Sequence, residues 1–119
     1  MIHWPGVKGI KNDDVKVKEI RRETWRGLEN CVQNGLVKSI GVSNYTKMHL
    51  NELLDYAVIQ PSIIQSEYHP YLQQNDILSV CRERGIFFQA YSSLGTSDKN
   101  LSNEVFKIFF TLVIHNLKF

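Results

Sequence analysis

Three short apolar runs in this chain end in the same way, and that repetition limits the folds open to it. Ile40–Val42 gives way to Ser43 and Asn44. Ile63 and Ile64 lead into Gln65, Ser66 and Glu67, and the run Ile86–Tyr91 ends at Ser92 and Ser93. Each run reads as a short buried strand with polar groups at its carboxyl end. The segments between them carry helical periods. The spacing predicts a helix from about Ile20 to Asn34, with Trp25, Leu28 and Val32 on one stripe, Cys31 beside them, and Gly35 as a left-handed cap. Thr46 is placed to cap a second helix whose Leu50, Leu53, Leu54 and Ala57 recur at i, i+3, i+4 and i+7. His69-Pro70-Tyr71 turns the chain into a third, where Ile77, Val80, Cys81 and Arg84 share a face before Gly85. Ahead of all this, Ile2-His3-Trp4-Pro5 reads as the last residues of a strand. Gly6 to Glu19 reads as a polar loop.

Equivalent strand positions, Ser43, Gln65 and Tyr91, lie about one βα unit apart, in line with the ~30 residues such a unit takes. Strand and helix alternate without a hairpin signal, which predicts a parallel sheet with crossover helices. A doubly wound sheet would give the same pattern. However, neither G-x-G-x-x-G nor G-x-x-x-x-G-K-[ST] follows any strand, so both usual phosphate loops are missing. A barrel fits better, because each strand in turn presents polar groups at its carboxyl end.

At 119 residues the chain is one domain or part of one, and 43% hydrophobic residues suffice for a core. Basic and acidic residues alternate, and the formal net charge is only +2, so no basic stripe supports nucleic-acid binding. Cys31 and Cys81 read as two reduced thiols in helices, which predicts a cytoplasmic protein. The apolar run near the C-terminus is shorter than the ~20 residues a membrane span needs, so no membrane partner is expected.

The strand ends gather His3, Ser43 with Asn44, Gln65 with Glu67, and Tyr91 with Ser92. Each has a plainer reading alone. His3 before Trp-Pro suits a structural role, Asn44 suits a helix cap, Gln65 suits a bond to a neighbouring strand end, and Tyr91 suits the core. Together they describe a crevice of amide, hydroxyl and imidazole groups beside one aromatic ring. That set suits a flat, amide-bearing heterocycle. Glu67-x-His69 has no further ligand at metal-binding spacing, so no metal site is expected.

Five segments, Ile2-His3-Trp4-Pro5-Gly6, Thr24 to Glu29, Gly41 to Tyr45, Gln65 to Tyr71 and Ala90 to Gly95, resemble the aldo-keto reductases in that family's order and at roughly its spacing. The resemblance covers about Ile2 to Leu101. It implies an α/β fold, a partial (β/α)8 TIM barrel of about four of the eight βα units. It also implies NADP(H) bound without a Rossmann domain, and reduction of aldehydes or ketones to alcohols. By the matching positions, Ser43, Asn44 and Gln65 would hold the nicotinamide carboxamide. Tyr91 would stack on the ring, and Ser92 and Leu94 would lie along the pyrophosphate. His3 would orient the carbonyl substrate, with Trp4 beside it in the pocket. Two departures occur inside the match. Ile64 stands where Asn is usual, and Ser93 where Pro or Ala is common; neither removes an expected contact.

No residue here matches the family's proton-donating Tyr or the Lys and Asp that lower its pKa, and no basic 2′-phosphate loop follows Leu101. The expectation is therefore a family member truncated at both ends and inactive alone, with residues 1–104 forming the partial barrel. The alternative is a non-catalytic half-barrel that binds nucleotide or protein weakly. Residues 105–119 form an apolar tail unlike the family. A full-length form is expected to be monomeric, and this fragment to be prone to aggregation.

Overall fold

The computed structural model describes residues 1–7, 9 and 14–93. Helices α1 (Val15–Gln33), α2 (Lys47–Tyr56) and α3 (Asn75–Arg84) alternate with strands β1 (Gly41–Ser43), β2 (Ile63–Glu67) and β3 (Phe87–Tyr91). The expected tail at 105–119 and Leu94 lie outside the described residues.

The strands form one parallel sheet in the order β1-β2-β3, with Gly41 beside Ile63 beside Phe87, and Ser43 beside Gln65 beside Gln89. Ile2 joins the far side of β1. Its N–H donates to Gly41 O at 3.0 Å, and its carbonyl accepts from Ser43 N at 2.7 Å, making a parallel bridge to Val42. Four successive stretches of chain thus lie side by side in sequence order. That is the winding of a barrel; a doubly wound sheet reverses its strand order partway across. The partial (β/α)8 barrel expected from the sequence is what the chain forms.

The helices supply the core on one face of the sheet. Val42 and Ile64 point into it and are fully buried with Trp25, Leu50 and Leu53, while Ile77, Val80, Cys81 and Ile86 extend it. Side chains alternate across a strand, so Ile63, Gln65, Phe87 and Gln89 face the other way. At Gly41 a Cβ would lie 2.5 Å from the Ile63 carbonyl oxygen and 2.5 Å from its Cγ2. Only glycine lets β1 and β2 approach this closely.

Helix α1 departs from expectation. It begins at Val15 with Asp14 as N-cap, its carboxylate accepting from Lys16 N at 2.8 Å, so part of the expected polar loop is helical. Its buried stripe is Val17, Arg21, Trp25 and Glu29, while Ile20 is exposed. Two charged residues, Arg21 near the start and Glu29 near the end, interrupt the apolar stripe. Both are paired: Arg21 binds Glu52 through two bonds of 2.8 Å, and Glu29 Oε1 accepts from Val58 N at 2.8 Å and Ile59 N at 2.9 Å. The C-terminus follows expectation. Gly35 sits at φ 70°, Leu36 N donates to Cys31 O and Gly35 N to Val32 O, both at 2.9 Å, which is a Schellman closure.

Thr46 caps α2 as expected, with His49 in the place a capping box usually gives to Glu or Gln. His49 N donates to Thr46 Oγ1 at 3.4 Å, and Nδ1 lies 3.0 Å from the same hydroxyl and accepts from Thr46 N at 3.4 Å. The ring's other nitrogen, Nε2, is buried without a partner. Burial first, and the Arg21 charge second, hold this imidazole below the usual histidine pKa. A depressed histidine favours folding fully above its unfolded pKa of ~6.5, and that contribution falls away as pH drops below it. His49→Gln keeps a capping partner without the titration. Its stability, measured by urea unfolding, should match the parent at pH 7 and decline less between pH 6.5 and 5.

Helix α3 starts at Asn75, later than the Pro70 turn suggested. A tight turn intervenes, with His69 and Leu72 exchanging backbone hydrogen bonds of 3.1 and 2.9 Å. Ile77, Val80 and Cys81 are buried as expected, but Arg84 is exposed. Gly85 ends the helix at φ 67°. Both cysteines are free; Cys81 is buried and Cys31 only half-buried.

Candidate functional site

The carboxyl ends of the Ile2 segment, β1 and β3 meet at Asn44. This residue leaves β1 at φ 60°, a left-handed conformation that asparagine tolerates better than most side chains. Its backbone N–H donates to Gln65 O at 3.0 Å. Its side-chain Nδ2 donates to His3 O at 2.9 Å and to Ser43 Oγ at 3.1 Å, while Oδ1 accepts from the Tyr91 hydroxyl at 2.7 Å. Asn44 therefore does not cap α2; Thr46 does. One carboxamide ties together residues 3, 43 and 91.

Ser43 and Gln65 occupy one register layer on the helix-free face. Gln65 Nε2 donates to Gln89 Oε1 at 3.0 Å, so the plainer reading of Gln65, a bond to the neighbouring strand, is also correct. Gln89 was not singled out from the sequence. The available signal was its place two residues before Tyr91, which period 2 puts on the same face. Ser92 follows β3 at φ 50° and is half-buried. No hydrogen bond joins it to the cluster among the described residues.

His3 contributes its carbonyl to this network, and its exposed imidazole lies edge-on to Trp4 with ring centroids 5.7 Å apart. Trp4 is 59% exposed. It borders a cavity of about 470 Å³ at the strand ends, together with Asn44, Glu67, Gln74 and Tyr91. Glu67 Oε1 lies 3.3 Å from His69 Nε2, and His69 Nδ1 accepts from Tyr71 N at 3.2 Å. Both ring nitrogens of His69 are thereby engaged. Among the described residues no group of three or more His, Cys, Asp or Glu side chains could hold a metal ion.

The donor set decides what such a crevice can hold. Ser43, Asn44, Gln65 and Gln89 each both donate and accept, and a primary carboxamide does the same. No charged side chain enters their layer, and the Tyr91 ring stands beside it. These groups fit a neutral, flat, amide-bearing ring better than an anion.

A barrel segment with its polar residues gathered at the carboxyl ends of parallel strands defines the class: a piece of a (β/α)8 protein with its crevice on the usual face. Comparison with known proteins gives the family. The model of the aldo/keto reductase family matches residues 1–104, and the chain belongs to that family. Aldo-keto reductase family 1 member A1 of Mus musculus is 44% identical over 108 residues, covering 83% of this chain and 33% of the relative. A glycerol 2-dehydrogenase (NADP(+)) of Hypocrea jecorina is 39% identical over 113 residues, 83% of this chain and 35% of its own length. Among solved structures, an aldo-keto reductase enzyme from a deep-sea metagenome superposes with a TM-score of 0.74 at 34% identity, over 92% of this chain and 38% of that one. An aldo-keto reductase of Bombyx mori in complex with NADP gives 0.64 at 33% identity, over 76% and 29%. The chain spans about a third of the length of the curated relatives it matches.

Proposed function

We propose that this chain carries the nicotinamide-holding part of an NADP(H)-dependent aldo-keto reductase barrel, cytoplasmic, that reduces aldehydes or ketones to alcohols. The observation that carries the reading is the Asn44 carboxamide, which draws the His3, Ser43 and Tyr91 strand ends into one cluster beside Gln65. The cofactor, when bound, supplies the hydride. Ser43, Asn44 and Gln65 would hold its carboxamide and so present one face of the ring to the substrate carbonyl. Tyr91 would lie against the ring, Ser92 and Leu94 would contact the pyrophosphate, and His3 and Trp4 would face the substrate. Fixing the ring and the carbonyl in one geometry lowers the entropy loss on reaching the transition state. Support comes from the family membership and from a donor set that matches a carboxamide.

The 119-residue chain is inactive alone in this reading, because no residue matches the family's proton donor or its Lys and Asp. Purified monodisperse chain should not oxidise NADPH with any aldehyde or ketone. Turnover that disappears in His3→Ala would overturn this. In a barrel of full family length, Tyr91→Ala should weaken NADPH binding by on the order of 1–3 kcal/mol, the range for an aromatic ring stacked on a heterocycle. Calorimetric titration checks it, and an unchanged affinity would mean that Tyr91 has no part in holding the ring.

A further inference from the structure

Of the three residues read as holding the nicotinamide carboxamide, Gln65 has the longest side chain and the fewest holds on it. A glutamine turns about three bonds, and its last torsion is broad and roughly two-fold. Left free, its amide would turn either oxygen or nitrogen to a ligand. Asn44 is the contrast. Its Nδ2 donates to His3 O at 2.9 Å and to Ser43 Oγ at 3.1 Å, and its Oδ1 accepts from the Tyr91 hydroxyl at 2.7 Å. A main-chain carbonyl only accepts, so the His3 bond fixes which end of the Asn44 amide is which. Both of its N–H bonds are in use, and a lone pair on Oδ1 remains for a ligand.

Among the described residues Gln65 makes one side-chain hydrogen bond, and its partner is Gln89. The two are register partners on β2 and β3, so their side chains leave the helix-free face side by side. Gln65 Nε2 donates to Gln89 Oε1 at 3.0 Å. With that hydrogen engaged, Gln65 keeps its Oε1 acceptor and one N–H for a ligand. A carboxamide meets both, giving its own N–H to Oε1 and receiving the Gln65 N–H on its oxygen. A carboxylate brings acceptors alone and sets a lone pair against Oε1. Ser43, Gln65 and Gln89 form one layer without a charged side chain, so nothing in it offsets that repulsion.

We propose that Gln89 is a positioning residue: its Oε1 holds the Gln65 amide in the sense that selects a carboxamide over a carboxylate on the bound ring. This role rests on the nicotinamide reading of Gln65 and adds to it what aims the amide. Gln89 acts through Gln65 alone.

NADP+ and its nicotinic acid analogue differ only in that group, so the ratio of their dissociation constants reads the selection. Both are titrated at millimolar concentration into the 119-residue chain, Gln89→Met, Gln65→Met and the double variant, following the Ser43 and Asn44 amide resonances by NMR. Methionine keeps the length of glutamine without its polar atoms. Gln89 is exposed, so its replacement should leave the fold intact. The parent should favour NADP+. Gln89→Met should lower that preference by roughly fivefold, as loss of one neutral hydrogen bond does. Gln65→Met should lower it at least as far, and adding Gln89→Met to Gln65→Met should change nothing more, because the two act as one unit. In the parent without ligand, the Gln65 side-chain N–H signals should lie away from those of a free glutamine amide; this readout needs no variant. Signals at the free positions overturn the proposal. So does an unchanged ratio in Gln89→Met beside a lost preference in Gln65→Met, which leaves the nicotinamide reading standing. A Gln89→Met effect that persists without Gln65 overturns it too, since Gln89 would then act on the ligand directly. If neither nucleotide shifts Ser43 or Asn44, the nicotinamide reading fails and this role fails with it.

Discussion

Trp25→Ala should lower the unfolding free energy by about 4 kcal/mol, in the ~3–5 kcal/mol range for removing a buried aromatic. Trp25 has no exposed surface and lies where α1 meets the core residues Ile40, Val42 and Leu53. Its removal leaves a cavity that three elements have to collapse around. It also takes away the indole N–H that donates to Ile59 O at 3.2 Å. That bond and the two that Glu29 receives from Val58 and Ile59 hold the α2–β2 connection against α1. Urea unfolding followed by circular dichroism measures the loss. A change under 1 kcal/mol would mean that α1 does not seat on the sheet as described.

Glu52→Ala should cost about 3 kcal/mol, the lower end of the ~3–5 kcal/mol found when one partner of a buried ion pair is removed. The lower end applies because the Glu52 side chain is 22% exposed while Arg21 is only 4% exposed. Arg21 keeps its 3.0 Å bond to Pro5 O but loses both of its bonds to the Glu52 carboxylate. Replacing both residues, as Arg21→Met with Glu52→Leu, should cost far less, because the two charges leave the interior together and apolar side chains fill their place. The Arg21 hydrogen bonds hold the Glu52 carboxyl below the usual carboxylate range, against the opposing effect of burial. A depressed carboxylate contributes stability above its unfolded pKa and loses it as pH falls through the folded value. The gap between parent and Glu52→Ala should therefore be full at pH 6 and narrow below about pH 4. A gap independent of pH would indicate that the pair contributes packing alone.

The ion pair also bears on the candidate site. Through Pro5 O, Arg21 secures the backbone directly after His3 and Trp4, and through Glu52 it joins that segment to α2. A charged residue that the apolar period of α1 does not mark thus helps fix the entrance of the crevice.

The family resemblance, the order of strands and helices, the caps at Gly35, Thr46 and Gly85, and the crowding of polar groups at strand ends were all legible in the residues. These are local properties. A left-handed cap needs glycine, a capping hydroxyl needs to stand before a helical period, and short apolar runs identify strands whatever surrounds them. The start of α1, from Val15 to Glu19, was not legible, because that polar stretch carries no apolar period, and the burial of Arg21 and Glu29 was not, because it depends on partners far away in sequence. Periodicity counts apolar residues and assigns such charges to solvent. The same limit applied at Asn44, for which capping and ligand holding were both open. The fold resolved the geometry by giving its amide to His3 and Ser43 and its carbonyl oxygen to Tyr91.

What the sequence determined by itself is the repeating βα unit, and with it a parallel sheet whose polar strand ends face one way. Tertiary structure alone decided which side chains meet there, and which charged residues of α1 are buried. The physical reason is the range of the forces involved. Helix caps, glycine turns and alternation are settled within a few residues, whereas buried charge and register depend on what the rest of the fold brings alongside.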